Sequence, residues 1–323
     1  MALYSIINFF DQKISRIHNS LVKERNALST FLFHGLFNNA GEIELKHGMP
    51  QQSITTSNFR EFIEYYLKKN YEFISPEDIS KGLDPNKKFA LITFDDGYFN
   101  NQLAVPILNE YKVPAIFFIS SAHILQNKSF WWDIIYRERI KRQSSLQLID
   151  NEVIYLKSFK NREIEQYILK EFGKNAFIPI SDIDRPFTPA ELKTFAGENF
   201  VHIGNHTTNH AILTNYSDVE IKMEITNAQE DLVKLTGKKP IMIAYPNGRI
   251  PLNIIPILKE CNIKLGVSTK DGKNYFPLNI GNNEQYLLKR FTLWGNKDIT
   301  LQCELFRSDL HLKNRITHMI KNR

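Results

Sequence analysis

The sequence feature that most constrains the fold is an apolar run that ends in two adjacent acids. Residues 89–94 read FALITF, and Asp95, Asp96 and Gly97 follow directly. A short run of this kind predicts a strand buried on both faces, as in a parallel sheet. Because neighbouring carboxylates raise each other's proton affinity, the pair indicates either a metal site or a division of roles between binding and proton transfer. An ordinary turn after a strand is the alternative that this stretch leaves open.

Strands and helices alternate along most of the chain. Further short apolar runs occur at residues 28–33, 114–119, 200–203, 240–245, 264–269 and 287–293. Segments with helical spacing separate most of these runs, and a strand, a helix and a second strand form a βαβ unit. The pattern therefore predicts an α/β fold with a parallel sheet. The helix that follows the capping box at Ser217 is expected to bury Val219, Met223, Leu232 and Leu235.

The region from about residue 129 to residue 187 lacks this alternation. It is rich in Arg, Lys, Glu and Gln, which predicts a mostly helical insertion, and residues 146–155 are expected to form a hairpin. Trp131 and Trp132 lie near its start. They are either core residues or a platform on which a sugar ring stacks.

The 323 residues divide into three predicted parts. Residues 1–27 are expected to form an N-terminal amphipathic helix, residues 28–295 a central α/β domain with its insertion, and residues 296–323 a basic helical tail. The apolar side of the first helix is expected to pack against the body of the protein, with an anionic membrane surface as the alternative. That side carries Leu3, Ile6, Ile7, Phe10, Ile14, Ile17 and Leu21.

Net charge and cysteine content limit the classes of partner and the kind of fold that are expected. The formal net charge of +6 favours an anionic partner, such as a charged glycan, a phosphate-bearing carrier or a membrane surface. The sequence has no groove-reading motif and no dense basic run, so nucleic acid is not expected. Its two cysteines, Cys261 and Cys303, exclude a disulfide framework. Without a recognisable secretion signal, a cytoplasmic location is expected, with peripheral contact at the inner membrane face as an addition.

Chemically active side chains lie at the ends of five predicted strands. They are His34, the pair Asp95 and Asp96, the pair His206 and His210, residues 245–248, and Arg290. Two histidines four residues apart share one face of a helical turn, so both imidazoles are expected to reach one ion. Two histidines and one carboxylate are a common ligand set for hydrolytic zinc, and the second carboxylate is then free to act as a base.

Three of these segments resemble a known family. TFDDG at residues 93–97, NHTTNH at 205–210 and AYPNG at 244–248 are similar to the ordered motifs of NodB-type polysaccharide deacetylases, carbohydrate esterase family 4. The resemblance runs from about residue 30 to residue 292, interrupted by the insertion. FWWD at residues 130–133 also resembles a feature of members from surface-polysaccharide gene clusters. The resemblance implies a distorted or incomplete (β/α) barrel with an inserted segment and terminal helices.

The family's roles carry over to matching positions of this chain. The resemblance implies that Asp95 is the catalytic base toward the attacking water. It implies that Asp96, His206 and His210 hold a divalent metal, usually zinc, and that the backbone N–H of Asn247 stabilises the tetrahedral oxyanion. Acetate would leave, and a free amine would remain on the sugar.

The chain also departs from the family pattern. Many members have an arginine that orients the base at the position of Ala244, and Arg290 is the candidate substitute. The family's late general-acid histidine has no clear counterpart here, since His311 lies in the tail. His34 lies in a segment that resembles the early Tyr-His-x-Val-like motif of one branch, which makes it a candidate general acid or substrate contact.

The resulting prediction is a metal-dependent hydrolase that removes N-acetyl groups from amino sugars. Its substrate would be a glycan or a lipid-linked or nucleotide-linked precursor in surface-polysaccharide synthesis. A deformylase or another small-acyl amidase is one alternative, because the same attack works on any small acyl group. A catalytically impaired glycan-binding protein is the other, and the missing arginine at position 244 is its best support.

Overall fold

The fold is known from a computed structural model, which describes residues 14–15, 17–278 and 282–310. Its centre is a nine-stranded sheet. The strands are β1 (Ala27–Phe33), β2 (Glu72–Phe73), β3 (Phe89–Phe94), β4 (Ala115–Ile119), β5 (Val201–Asn205), β6 (Met242–Ala244), β7 (Leu265–Val267), β8 (Asn274–Tyr275) and β9 (Phe291–Thr292).

Twelve helices have bounds in the described residues. They are α1 (Ala40–Glu44), α2 (Thr56–Lys68), α3 (Pro76–Lys81), α4 (Val105–Tyr111), α5 (Ser121–Gln126), α6 (Trp131–Lys141), α7 (Leu146–Leu156), α8 (Asn161–Phe172), α9 (Pro189–Ala196), α10 (Asp218–Thr236), α11 (Ile254–Glu260) and α12 (Ile299–Arg307). Short 3-10 turns occur at Phe99–Ala104, Lys174–Phe177, Leu213–Asn215, Pro246–Gly248 and Glu284–Tyr286.

The sheet is parallel except for β8 at one end. Its order is β7-β6-β5-β4-β3-β1-β8, with β2 beside β3 and β9 beside β1. In the described residues β7 and β8 do not pair with each other, so the curled sheet remains an incomplete barrel. This confirms the predicted α/β fold class. All six residues of β3 are buried, as expected for a strand covered on both faces.

The segment between β4 and β5 forms a helical layer with its own small core. Helices α6, α7 and α8 bury one apolar cluster together with Tyr98 and Phe130. The hairpin expected at residues 146–155 is wrong, because these residues form α7. Ser145 caps that helix, and Ile149, Val153 and Leu156 recur at helical spacing on its buried side.

The buried face of α10 also differs from the expected one. Val219 and Met223 are 71% and 56% exposed, so their predicted burial is wrong. The helix instead buries a second set of residues with helical spacing, which includes Ile221, Ile225 and Leu232. Both sets satisfy the period of a helix, and only packing against the sheet decides between them.

The terminal segments are described in part. The first 13 residues of the predicted N-terminal helix lie outside the described residues, as do residues 311–323 of the predicted tail and thus His311. Asn19 donates a hydrogen bond to Glu304 of α12 at 2.8 Å, which attaches this segment to the body. Ile17 and Leu21, however, are 59% and 78% exposed, so the expected packing of these two side chains is wrong.

Candidate active site

Three parallel strands bring the acids and the histidines to one edge of the sheet. Asp95 and Asp96 follow β3, His206 follows β5, and Asn247 lies three residues after β6. Because the strands run parallel, their carboxyl ends meet at this edge. The predicted clustering of these segments is therefore a direct result of sheet order.

Asp96, His206 and His210 form a buried cluster. The Nε2 atoms of both histidines lie 3.3 Å from Oδ1 of Asp96, and the three ligand atoms lie within 4.8 Å of one another. The expected helical turn is wrong, since this segment is a loop in which Thr207 and His210 have φ values of 64° and 52°. The loop nevertheless points both imidazoles at one carboxylate.

The hydrogen bonds around this cluster fit a cation. His206 Nδ1 lies 2.8 Å from the carbonyl oxygen of Ala244, which requires a proton on Nδ1 and directs the Nε2 lone pair of the neutral ring toward Asp96. Oδ1 of Asp96 is buried and has no hydrogen-bond partner among the described residues. A buried carboxylate oxygen facing two ring nitrogens calls for a positive charge between them. Two histidines and one aspartate, with further positions open, suit catalytic zinc.

Asp95 has a different partner, the guanidinium of Arg290. Arg290 donates two hydrogen bonds to the carboxylate, from Nη1 to Oδ1 at 2.7 Å and from Nη2 to Oδ2 at 2.8 Å. Its Nη1 also donates to Oγ1 of Thr93 at 3.0 Å, and its Nε donates to the carbonyl oxygen of Ser268 at 2.9 Å. This fork fixes the plane of the carboxylate. Arg290 thus provides the contact that an arginine at position 244 was expected to provide.

The charge of Asp95 follows from the same contacts. Burial is the largest influence and opposes ionisation, but the charge and hydrogen bonds of Arg290 together with the charges of His206 and His34 outweigh it, so the pKa of Asp95 lies below its usual value. Asp95 is therefore an ionised, oriented carboxylate directly beside the cluster. The two neighbouring acids therefore have different partners: Asp95 is paired with Arg290, and Asp96 faces the two histidines.

His34 lies beyond the end of β1 and is held by Gln52. Its Nδ1 lies 2.9 Å from Oε1 of Gln52, whose Nε2 donates to the carbonyl oxygen of Leu32 at 2.9 Å. Since the amide nitrogen faces that carbonyl, Oε1 can only accept, and Nδ1 of His34 carries the proton. Nε2 of His34 is left to exchange a proton or to contact a ligand.

Asn247 occupies a tight turn next to the cluster. It has a left-handed backbone with φ 56°, and Ala244, three residues earlier, holds His206. Gly248 has φ 64°, and a Cβ atom there would lie 1.9 Å from Oγ1 of Thr269. Glycine at this position permits the turn that presents Asn247.

Sequence reasoning missed a group of residues that packs behind the cluster. Gln51 Nε2 donates to Oδ2 of Asp96 at 3.3 Å, and Trp132 places its ring centroid 4.5 Å from that of His210. Trp132 Nε1 donates to the hydroxyl of Tyr98 at 2.8 Å, and that hydroxyl donates to Asp133 at 2.7 Å. The FWWD motif had marked Trp132 and Asp133 without this contact, Tyr98 was signalled only by its position directly after TFDDG, and nothing in the sequence marks Gln51.

The two tryptophans are core residues. Trp131 and Trp132 are 5% and 7% exposed and belong to the apolar cluster of the helical layer. The sugar-stacking alternative requires an exposed ring face, so it is wrong for both residues.

A cavity of about 830 Å³ adjoins the turn that carries Asn247. Its lining includes Gly248, Thr269, Lys270, Phe276, Glu284 and Lys289. A volume of this size accommodates a drug-sized ligand, which leaves room beside the site for part of a larger substrate.

Residues 82–266 match the family model described as polysaccharide deacetylase, more than half of the chain. The chain belongs to the polysaccharide deacetylase family. A poly-beta-1,6-N-acetyl-D-glucosamine N-deacetylase of Staphylococcus aureus strain COL is 22% identical over 295 residues, which cover 86% of this deacetylase and 82% of the relative. The predicted family and the predicted enzyme class, an amide-hydrolysing deacetylase, are confirmed.

Solved structures share the fold. The Streptococcus pyogenes deacetylase PplD, in complex with acetate, has a TM-score of 0.58 and 19% identity, covering 87% of this deacetylase and 99% of PplD. IcaB from Ammonifex degensii has a TM-score of 0.57 and 15% identity, covering 88% of this deacetylase and 98% of IcaB. These likenesses agree with the incomplete barrel described above.

Proposed function

We propose that this deacetylase is a metal-dependent enzyme that removes N-acetyl groups from the amino sugars of a glycan. The observation that carries the proposal is the divided acid pair. An ionised Asp95, held by Arg290, lies directly beside the buried cluster of Asp96, His206 and His210. A base beside a metal site is the arrangement that amide hydrolysis by an activated water requires.

The proposed cofactor is a zinc ion held by Asp96, His206 and His210. When bound, zinc supplies a Lewis acid that polarises a carbonyl and lowers the pKa of a coordinated water. The contact between His206 and the Ala244 carbonyl keeps the ligand nitrogen available, since the other ring nitrogen holds the proton.

The chain's own residues account for each proton transfer. Asp95 accepts a proton from the attacking water, whose oxygen forms a bond to the acetamide carbon. The backbone N–H of Asn247 stabilises the negative charge that develops on the former carbonyl oxygen. The carbon–nitrogen bond then breaks, and the nitrogen leaves as an amine after receiving a proton from Nε2 of His34. This role requires the doubly protonated imidazolium form of His34, because Nδ1 already holds a proton toward Gln52. Arg290 orients Asp95 throughout and touches neither reactant.

The relatives named for poly-beta-1,6-N-acetyl-D-glucosamine support an N-acetylated amino-sugar glycan as the substrate class. The binding-protein alternative loses its main support, because Arg290 supplies the contact to the base that Ala244 does not. The proposal also covers a lipid-linked or nucleotide-linked precursor as the substrate. It likewise covers removal of a formyl group in place of an acetyl group, because the same attack acts on either.

A cytoplasmic location with contact at the inner membrane face also stays a proposal. In the described part of the chain, no helix combines the length and the apolar character needed to cross a bilayer. The exposed side chains of Ile17 and Leu21 support contact of the N-terminal segment with a membrane surface.

Release of small acids from a substrate panel tests the proposed function. Zinc-loaded protein is incubated with N-acetylated and N-formylated amino sugars in polymeric, lipid-linked and nucleotide-linked form, and acetate and formate are quantified. We expect acetate release that stops on chelation and resumes with added zinc. Equal release by the zinc-loaded and the chelated protein would contradict the proposal.

A further inference from the structure

The turn that joins α7 to α8 is attached directly to the loop that carries the metal-site histidines. Asn161 Nδ2 donates to the carbonyl oxygen of Asn209, the residue before His210. Asn215 Nδ2 donates to the carbonyl oxygens of Lys157 and Phe159 at 3.1 and 2.9 Å. The helical layer therefore borders the active site at a fixed position.

Two cations lie where this turn meets the turn of Asn247. Arg249 follows the Pro246–Gly248 turn, and its Nη1 donates to the carbonyl oxygen of Lys157 at 3.2 Å. Within residues 17–278 and 282–310, neither Lys157 nor Arg249 forms an ion pair with a carboxylate within 4.0 Å, whereas most of the cations in the helical layer do. We call Lys157 and Arg249 the cationic rim.

Lys157 lies in surroundings that disfavour its positive charge. Burial lowers the pKa of Lys157, and the positive charge of Arg249 lowers it further. The charges of Asp96 and Asp150 act in the opposite direction and raise the pKa. A half-buried ammonium beside a second cation is unfavourable on its own and becomes favourable when an anion is present.

A solvated surface pair is the ordinary explanation for two neighbouring cations. Lys157 does not fit it well, because its side chain is partly buried and its backbone is fixed by two hydrogen bonds. Holding a charge in this position costs free energy that an exposed lysine does not pay. The turn that carries Lys157 is bonded to Arg249, two residues after Asn247, and to Asn209, next to His210, and this position points to a role toward the substrate.

Building on the proposed function, we propose that Lys157 and Arg249 bind an anionic oxygen group of the substrate, carried by or next to the acetylated amino sugar. A phosphate ester on a precursor and the carboxylate of a uronic acid in a polymer both present this chemistry. The rim therefore selects acidic amino-sugar substrates over neutral ones.

The rim also affects neutral polymers. Each removed acetyl group leaves an ammonium group on the chain, and two cations at the site repel it. On a neutral N-acetylated polymer, deacetylation should slow as free amines accumulate near the reacting sugar.

Ligand binding to the zinc-loaded D95N protein tests the rim without turnover. Isothermal titration calorimetry compares three probes: N-acetylglucosamine, its 1-phosphate, and a disaccharide of N-acetylglucosamine and glucuronic acid. We expect at least one acidic probe to bind roughly tenfold more tightly than the neutral sugar, with an affinity that falls as salt is added. K157M and R249M should each remove most of this preference, and K157R should keep it. K234M, which removes an exposed charge in the last turn of α10, should change nothing.

The probes distinguish the sources. A preference for the 1-phosphate alone supports a phosphorylated precursor, and a preference for the uronic acid alone supports an acidic polymer. Equal affinity for all three probes, or an acidic preference that survives in K157M and R249M, would contradict the proposed role of the cationic rim in binding an anionic group. Failure of the proposed function shows separately, as an absence of acetate release from every substrate by the wild-type protein.

Discussion

Asp95 and Asp96 are neighbours in the chain but belong to two differently built regions. The Asp95 region is complete: both carboxylate oxygens accept from Arg290, which is itself tied to the ends of other strands. The Asp96 region is open, because a buried oxygen faces two ring nitrogens without a hydrogen bond. A region complete without a ligand suits a base, whereas an open set of donors suits a metal ion.

The largest effect should come from removing the charge of Asp95. D95N keeps the shape of the side chain but cannot take a proton from water, so acetate release should fall about 10²- to 10⁴-fold. Acetate measured over time on the best substrate of the panel checks this. Circular dichroism shows whether the variant is folded, and turnover within twofold of the wild type would contradict the role of Asp95.

Removing Arg290 should destabilise the folded protein. R290M leaves Asp95 as an uncompensated buried charge, so the free energy of unfolding should fall by about 3–5 kcal/mol, as measured by urea denaturation.

Two further variants sharpen this prediction. R290M combined with D95N should be less destabilised than the sum of the single changes, because no unpaired charge remains. R290K, which keeps the charge but loses the fork, should recover part of the stability. A strictly additive double variant would contradict the pairing.

Zinc should stabilise the folded protein by binding to the Asp96 region. At a zinc concentration one hundred times the dissociation constant, the wild-type protein should gain about 2.7 kcal/mol of stability. H206A should gain much less, since one ligand is lost. Thermal unfolding with and without zinc checks this, and an equal gain in H206A would contradict the assigned ligands.

A smaller, pH-dependent effect is expected at Asp133, behind the cluster. Burial raises the pKa of Asp133 well above its usual value, and nearby Asp184 and Asp96 add to the shift, although hydrogen bonds from Tyr98 and Met49 oppose it. The folded state then holds a proton that the unfolded state releases, so stability falls as pH rises above the usual aspartate pKa.

D133N removes this proton. Relative to the wild type, it should gain stability as pH rises from 5 to 7, by at most about 1.4 kcal/mol per pH unit. Urea denaturation at several pH values measures the difference, and parallel curves for the two proteins would contradict the raised pKa.

The sequence was most informative where local pattern and tertiary structure agree. The apolar run of β3 can hardly be anything but a buried strand, and the motifs that follow the strands converge because parallel strands share an edge. The capping box at Ser217 correctly marked where α10 begins.

The errors arose where several arrangements satisfy one pattern. Residues 146–155 are rich in apolar and β-branched residues that also suit strands, and only packing of the helical layer decides for a helix. The contact between Arg290 and Asp95 joins residues 195 positions apart and depends on β9 pairing beside β1. Position at a strand end made Arg290 a candidate, but its hydrogen bonds required the sheet order.

The metal content of two matched variants tests the division of the acid pair most directly. D95N and D96N are purified in parallel, loaded with zinc, desalted and measured by elemental analysis, and acetate release is measured on the same samples. We predict that D95N retains close to the zinc content of the wild type while losing turnover, and that D96N loses both. Loss of zinc from D95N with retention in D96N would contradict the assignment of base and ligand.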